Sequence, residues 1–392
     1  MRARARGVDG GESWVSRTRG RTRRGSRVAA SATIPPVNAA CEVRRGVVRA
    51  CPVRETVLMP LPETMRAAVI TTAGGPEVLA IRQRPLPRPG HGELLVRVRA
   101  SAINRADILQ RMGRYAAPDA VPADIPGLEF AGEVAAIGDG VTQWTPGARV
   151  CGLVGGGAHA EYLVTHERTV ASVPDGLSWE VAGAAPEAYI TAWDAMVTQA
   201  GLRPGETVLV HAVGSGVGLA AVQLAVAWGA TVYGTARGAT KLDAAREAGM
   251  TDGCQPGDGA WIADAVAGWT AGRGVDVVVD LVGGDYTAGS LAAMALRGRL
   301  MLIGTLAGAK ATVDLRAILG RRLTIQGTVL RSRALDERIA VTEAFAREVL
   351  PLLADGRLRP RIDATFTLER IAQAHALVEG NGTIGKVALT IS

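Results

Sequence analysis

The chain has 392 residues, 48% hydrophobic and 21% charged, a balance that excludes a disordered chain and points to more than one folded core. Its four cysteines, Cys41, Cys51, Cys151 and Cys254, form no CxxC pair and no metal-ligand spacing, which argues against a disulfide framework and a cysteine-built zinc site. The net charge of +7 belongs to one end: residues 1–64 hold thirteen arginines, no lysine and five acidic residues, a net of +8 that leaves the remainder at −1.

Segment 1–64 includes RTRGRTRRGSR (Arg17 to Arg27) and has neither hydrophobic periodicity nor an apolar run of the secretory type. It reads as a disordered or spurious arginine-rich extension outside the fold; a targeting peptide and a nucleic-acid-binding arm are the alternatives. From Met65, short β-rich segments follow at Arg66–Thr71, Val78–Gln83, Glu93–Ala100, Glu129–Ile137 and Arg149–Val154. Gly74-Gly75-Pro76, Pro89-Gly90 and Pro146-Gly147 separate them, so residues 65–186 are expected to form a β-rich domain.

From about Thr191 strands and helices alternate, which predicts a parallel α/β sheet over 187–323. Its opening stretch, Thr207 to Ala236, carries no charged residue but holds Gly214, Gly216 and Gly218. Roughly twenty apolar residues suffice to cross a bilayer, yet three glycines in five positions and His211 make a weak span. The stretch reads instead as a strand (Thr207 to His211), a glycine turn, a helix from about Gly218 to Trp228 and a second strand, Thr231 to Tyr233. That is the start of a βαβ dinucleotide-binding unit, with pyrophosphate at the helix N-terminus. A helix ATKLDAAREAG closes at Gly249; VDVVVDLVGG (Val275 to Gly284) is a buried strand, LAAMALRG a helix and RLMLIGT (Arg299 to Thr305) another buried strand. Beyond Leu323, TIQGTVL is β-like and LDERIAVTEAFAREVLPLLADG predicts one long amphipathic helix. A helix LERIAQAHALVEG and a strand KVALTI end the chain, and 324–392 is read as a return to the first domain.

An ordered series of motifs gives these pieces a common context. GGPEVL (Gly74 to Leu79), SAINRADILQRMGRY (Ser101 to Tyr115), GLEFAGEV (Gly127 to Val134), GGGAHAEY (Gly155 to Tyr162), PEAYITAW (Pro186 to Trp193), HAVGSGVG (His211 to Gly218), VLRSR (Val329 to Arg333) and IGKVAL (Ile384 to Leu389) span nearly everything after the tail. In this order they resemble the zinc-independent quinone oxidoreductase branch of the medium-chain dehydrogenase/reductase superfamily. Within it the likeness is greatest to the tumour-suppressor-inducible NADPH:quinone oxidoreductases, with zeta-crystallins more distant. The resemblance implies an α/β fold in which a GroES-like β-rich catalytic domain carries an inserted Rossmann domain, a doubly wound parallel sheet. It also implies a homodimer or homotetramer, a cytoplasmic location without membrane or nucleic-acid partners, and hydride transfer from NADPH to a quinone or similar activated carbonyl.

Zinc-dependent relatives place a Cys near the position of Asn104 and a His in a GHE motif; here those positions read Asn104 and Leu128, so no metal is expected. The glycine loop reads VGSGVG in place of GxGxxG, and Ser215, Gly216, Val217 and Gly218 are the expected backbone contacts to pyrophosphate. After the second strand, GTARGATKL has no acid to take a ribose hydroxyl; Arg237 and Lys241 offer charge for a 2′-phosphate, hence NADPH. Pro256 stands where close relatives have a Tyr near that phosphate.

By resemblance Asn104, Asp107 and Tyr115 fall in the catalytic cleft. Asn104 is expected to bond the ribose or the substrate oxygen, and Tyr115 to donate to a developing oxyanion. Asp107 suits a structural acceptor better than an acid. Thr191, Gly304, Leu330 and Lys386 complete the expected cofactor contacts, and His211 is expected to pack in its strand. An enoyl or enone reductase on the same fold, and an NADPH-binding protein with a structural or RNA-binding role, are the rival readings.

Overall fold

The computed structural model describes residues 60–119 and 121–392; the arginine-rich segment up to residue 59 lies outside them. The stretch from Thr207 to Ala236 is the organising centre of a six-stranded, wholly parallel sheet. Its strands run in the order Asp252–Cys254, Thr231–Thr235, Thr207–His211, Val275–Asp280, Met294–Leu302 and Thr324–Gly327. In chain order that is 3-2-1-4-5-6, the Rossmann arrangement, and the direction of winding reverses between Thr207–His211 and Val275–Asp280. The apolar runs are buried because helices cover both faces: every residue of Thr207–His211 is buried, as are Val277, Val278 and Val279. Among the described residues no helix is long and apolar enough to cross a membrane.

The second large sheet is mostly antiparallel. Its order is Ile362–Thr367, Lys386–Thr390, Glu93–Ile103, Glu129–Ile137, Arg149–Leu153 and Val170–Ser172, with Tyr162–His166 paired to Glu93–Ile103. Lys386–Thr390 thus runs antiparallel to Glu93–Ile103, Val387 opposite Ile103, and parallel to Ile362–Thr367. Segments from opposite ends of the sequence share one sheet, and the parallel sheet lies between them in sequence. A two-stranded ribbon, Thr64–Ile70 with Leu79–Pro85, completes the strands among the described residues.

Three expectations change. LAAMALRG is not one helix: helix Asp285–Ala293 ends where strand Met294–Leu302 begins. Val275 pairs with Met294 and Val277 with Arg299, so the residues between bulge out, Arg297 taking a left-handed φ of 64°. The long helix after Leu335 is broken into α-helix Leu335–Ala344, a π-helical turn Phe345–Val349 and α-helix Leu350–Ala354. Pro351 has no N–H to give a carbonyl four residues back, and the widened turn absorbs that loss. The parallel sheet also extends past Leu323, because Thr324–Gly327 pairs with Met294–Leu302.

Candidate active site

Glu129 sits fully buried at the start of its strand, and a carboxylate there must be met by donors. Lys386 Nζ donates to its Oε1 at 2.6 Å, Asn104 Nδ2 to the same atom at 2.9 Å, and the Glu187 amide to Oε2 at 2.9 Å. Lys386 Nζ also donates to Asn104 Oδ1 at 2.5 Å. Four segments therefore converge on one carboxylate: the end of Glu93–Ile103, the start of Glu129–Ile137, the first turn of helix Pro186–Trp193, and the final strand.

Asn104 is the N-cap residue of helix Arg105–Arg111, and Asp107, in the first turn, accepts from its backbone N–H. Asp107 Oδ2 accepts from the Asn104 amide at 2.7 Å and Oδ1 from the Gly127 amide at 2.9 Å. Both oxygens hold backbone, so Asp107 positions the loop before Glu129. Tyr115 is half-buried, its ring 4.9 Å below the Arg331 guanidinium. Arg331 is itself buried and donates to Gly155 O at 2.7 Å and to Gln110 Oε1. Burial raises the Tyr115 pKa, opposed by the Arg331 charge, so the phenol keeps its proton at neutral pH. Glu187 lies in the same cleft; burial, then the Glu129 charge, pushes it up to about 8.

The glycine loop meets this cluster through Lys386. A Cβ on Gly216 would come within 2.4 Å of Lys386 Cδ, so the lysine stem crosses the loop at close range. Ser215 caps the helix Gly216–Ala227, its Oγ accepting from the Gly218 amide at 3.0 Å and donating to Ala212 O at 2.8 Å. That bond occupies Gly218. The Gly216 amide lies beside Gly385 in an isolated parallel bridge to Ser215, and the Val217 amide has no acceptor among the described residues and opens at the helix N-terminus, where an anion is favoured. A Cβ on Gly218 would come within 2.3 Å of Ala212 O, so only glycine lets strand and helix approach this closely.

At the end of the second parallel strand, Lys241 Nζ donates to Asn381 O at 2.6 Å, while Arg237 is exposed. Burial first, then the Arg237 and Arg105 charges, lower the Lys241 pKa. Three cations crowd one another there, and Arg105 was not legible as a member from its sequence context. Thr191 is buried one helical turn after Glu187; Leu330 lies in the core shared with Leu128, and Gly304 follows the fifth parallel strand, its amide bonded to Asp280 O at 3.2 Å. His211 bonds Thr235 Oγ1 and Ser290 Oγ inside the sheet, where burial lowers its pKa.

Sequence reasoning missed Glu129, Glu187 and Arg331, whose importance comes from burial and convergence. It also missed a buried group formed by Arg111, His159 and His375. The rings of His159 and His375 stand 6.0 Å apart, and Arg111 Nη1, His159 Nδ1 and both His375 nitrogens have no partner among the described residues. Among those residues no three His, Cys, Asp or Glu side chains group to hold a metal.

The family model for the alcohol dehydrogenase GroES-like domain matches residues 90–175, and that for zinc-binding dehydrogenase matches 216–347. The quinone oxidoreductase of Lama guanicoe is 31% identical over 333 residues, covering 83% of this chain and 98% of that protein. This chain belongs to the medium-chain dehydrogenase/reductase superfamily of oxidoreductases. Two solved members show how broad the likeness is. A mycobacterial protein complexed with NADPH superposes with a TM-score of 0.75 at 30% identity, covering 83% of this chain and 99% of that one. An NAD-dependent alcohol dehydrogenase superposes with a TM-score of 0.74 at 32% identity, covering 84% and 100%. Members of different specificity are equally similar to this oxidoreductase, so its specificity must be argued from its own side chains.

Proposed function

We propose that the chain is an NADPH-dependent quinone oxidoreductase that works without zinc. The observation that carries this reading is the Lys386 ammonium held between Glu129 and Asn104. Zinc-dependent relatives place a metal ligand at the Asn104 position; here its amide oxygen is engaged by a cation. Leu128, at the other ligand position, has no donor atom. A second cation beside a buried ammonium meets repulsion of about 4 kcal/mol per unit charge at 4 Å, and the donor set does not suit zinc. A Lewis acid favours alcohol oxidation by acidifying the hydroxyl. A quinone spreads incoming negative charge over its ring and needs only hydrogen-bond donors.

The cofactor cradle fits NADPH. The helix N-terminus at Gly216 and Val217, with a free Val217 amide, suits the pyrophosphate, and Arg237, Lys241 and Arg105 cluster positive charge where a 2′-phosphate is expected. Thr191, Gly304, Leu330 and Lys386 are assigned to the walls around the nicotinamide. When bound, the cofactor supplies a hydride. The protein orients a flat acceptor near Asn104 and Tyr115, and the protonated phenol donates to the oxygen where charge develops.

A homodimer is proposed as well. Among the described residues Thr324–Gly327 ends the parallel sheet with an open edge, and Leu319, Ile325 and Val329 are exposed beside it. Such an edge invites a second strand.

The test is a panel of 9,10-phenanthrenequinone, primary alcohols and 2-enoyl-CoA with either nicotinamide, alongside metal analysis. Quinone-dependent NADPH oxidation by metal-free protein is expected. Faster turnover of enoyl-CoA, or of alcohols with stoichiometric zinc, would overturn the assignment.

A further inference from the structure

Glu187 is held by its backbone and left free by its side chain. It is the second residue of helix Pro186–Trp193, and its amide is fixed on Glu129 Oε2. Its carboxyl makes no hydrogen bond or ion pair with any described residue. Thr191 stands four residues on, so the two side chains project from one face of the helix, a turn apart.

The charged and titratable groups around this carboxyl come from every side. Glu129 and Lys386 lie on the two strands that flank Glu93–Ile103, Asp107 on helix Arg105–Arg111, and Arg331 and Tyr115 on loops. The cations among them are already engaged. Lys386 is bonded to Glu129 and Asn104, and Arg331 to Gly155 O and Gln110. A carboxylate at Glu187 would face Glu129 without a partner of its own. The geometry therefore favours the neutral acid, in keeping with the value of about 8. Tyr115 is a poorer proton source, since its pKa is raised from an already high value.

We propose that Glu187 is the proton donor of the reduction, delivering the proton of its carboxyl group to the oxygen of the acceptor. The assignment rests on the reductase reading above. As a quinone takes up a hydride and its two electrons, a carbonyl π bond opens onto oxygen. The carboxyl O–H bond of Glu187 breaks, its electron pair stays on the carboxylate, and a new O–H bond forms on the acceptor. Hydride and proton together make the hydroquinone, and water entering the cleft restores the acid. Tyr115 contributes a hydrogen bond and keeps its proton.

The test combines two readouts on the full chain. Infrared difference spectra of the protein without nicotinamide should contain a protonated-carboxyl band at pH 7 that titrates near pH 8 and vanishes in Glu187→Gln. With a quinone and NADPH, wild-type turnover should fall as pH rises through about 8, because the active form is the protonated one. Glu187→Gln should lose about a hundredfold in kcat, with the KM for quinone little changed and that alkaline limb gone; Glu187→Asp should retain a titrating limb. An unchanged melting temperature of Glu187→Gln establishes that the loss is not one of folding. Absence of the band at pH 7, or a Glu187→Gln variant with wild-type rate and the same alkaline limb, would overturn the donor role alone. A wild type that consumes no NADPH with any quinone overturns the reductase reading and the proton transfer with it.

Discussion

Replacing Lys386 with methionine tests whether the convergence on Glu129 is structural as well as chemical. The side-chain stem, which crosses Gly216, is nearly preserved, whereas the ammonium is lost. Glu129 then keeps the Asn104 amide and the Glu187 backbone N–H but no opposite charge, in a position with no solvent exposure. Breaking one side of a buried ion pair destabilises by about 3–5 kcal/mol, and two remaining donors place the expectation near the lower end. Urea unfolding, followed by tryptophan fluorescence, measures the loss. Lys386→Met combined with Glu129→Gln removes the orphaned charge and should recover most of it. The same change removes a cation that lowers the Glu187 pKa, so the alkaline limb of activity should move to higher pH. A loss below about 1 kcal/mol, or no recovery in the double variant, would show that the pair behaves like an exposed one.

Further outcomes follow from other parts of the molecule. Lys241→Ala should raise the Michaelis constant for NADPH by about tenfold or more, through loss of one charge-assisted bond of about 1.5–3 kcal/mol, and leave that for NADH nearly unchanged; equal changes would refute contact with a 2′-phosphate. Burial and the neighbouring Arg111 and His159 hold His375 well below its usual pKa, so the unfolded chain takes up a proton near pH 6.5 that the folded chain refuses. Stability should therefore fall as pH drops from about 6.5, and His375→Leu should remove about one proton from that slope in thermal melts; an unaltered slope would count against it. Ile325→Lys at the open sheet edge should shift the protein towards monomer in light scattering.

The sequence announces the parallel sheet well, because strands buried on both faces are continuous apolar runs and need no periodicity to be seen. The glycine loop is legible for a related reason: Gly218 has no room for a Cβ, and that requirement leaves a trace in the letters themselves. Other features leave none. Met294 to Gly298 has the composition of a helix, and only its pairing with Val275 draws Met294 into a strand. Glu129 looks like an ordinary acid until folding removes its water, and Glu187 until folding sets it against Glu129. Asn104 and Tyr115 were picked out by family likeness, while the partners that define their surroundings, Lys386 and Arg331, lie more than two hundred residues further along. Charge in a cleft is a property of assembled surfaces, and a local reading of the chain does not contain it.

The position of the final strand bears on how the protein is made. Lys386–Thr390 is an interior strand of the antiparallel sheet, flanked by Glu93–Ile103 and Ile362–Thr367, and Arg66 bonds the backbone of Ser392. The first half of that sheet is synthesised long before its missing neighbour and must wait with an exposed edge. The parallel sheet, complete by Gly327, is free to fold while the rest of the chain is still on the ribosome. Completion of the antiparallel sheet therefore waits for Lys386–Thr390. A ribosome stalled short of Lys386 should release a chain whose nucleotide-binding half resists protease and whose catalytic half is cut.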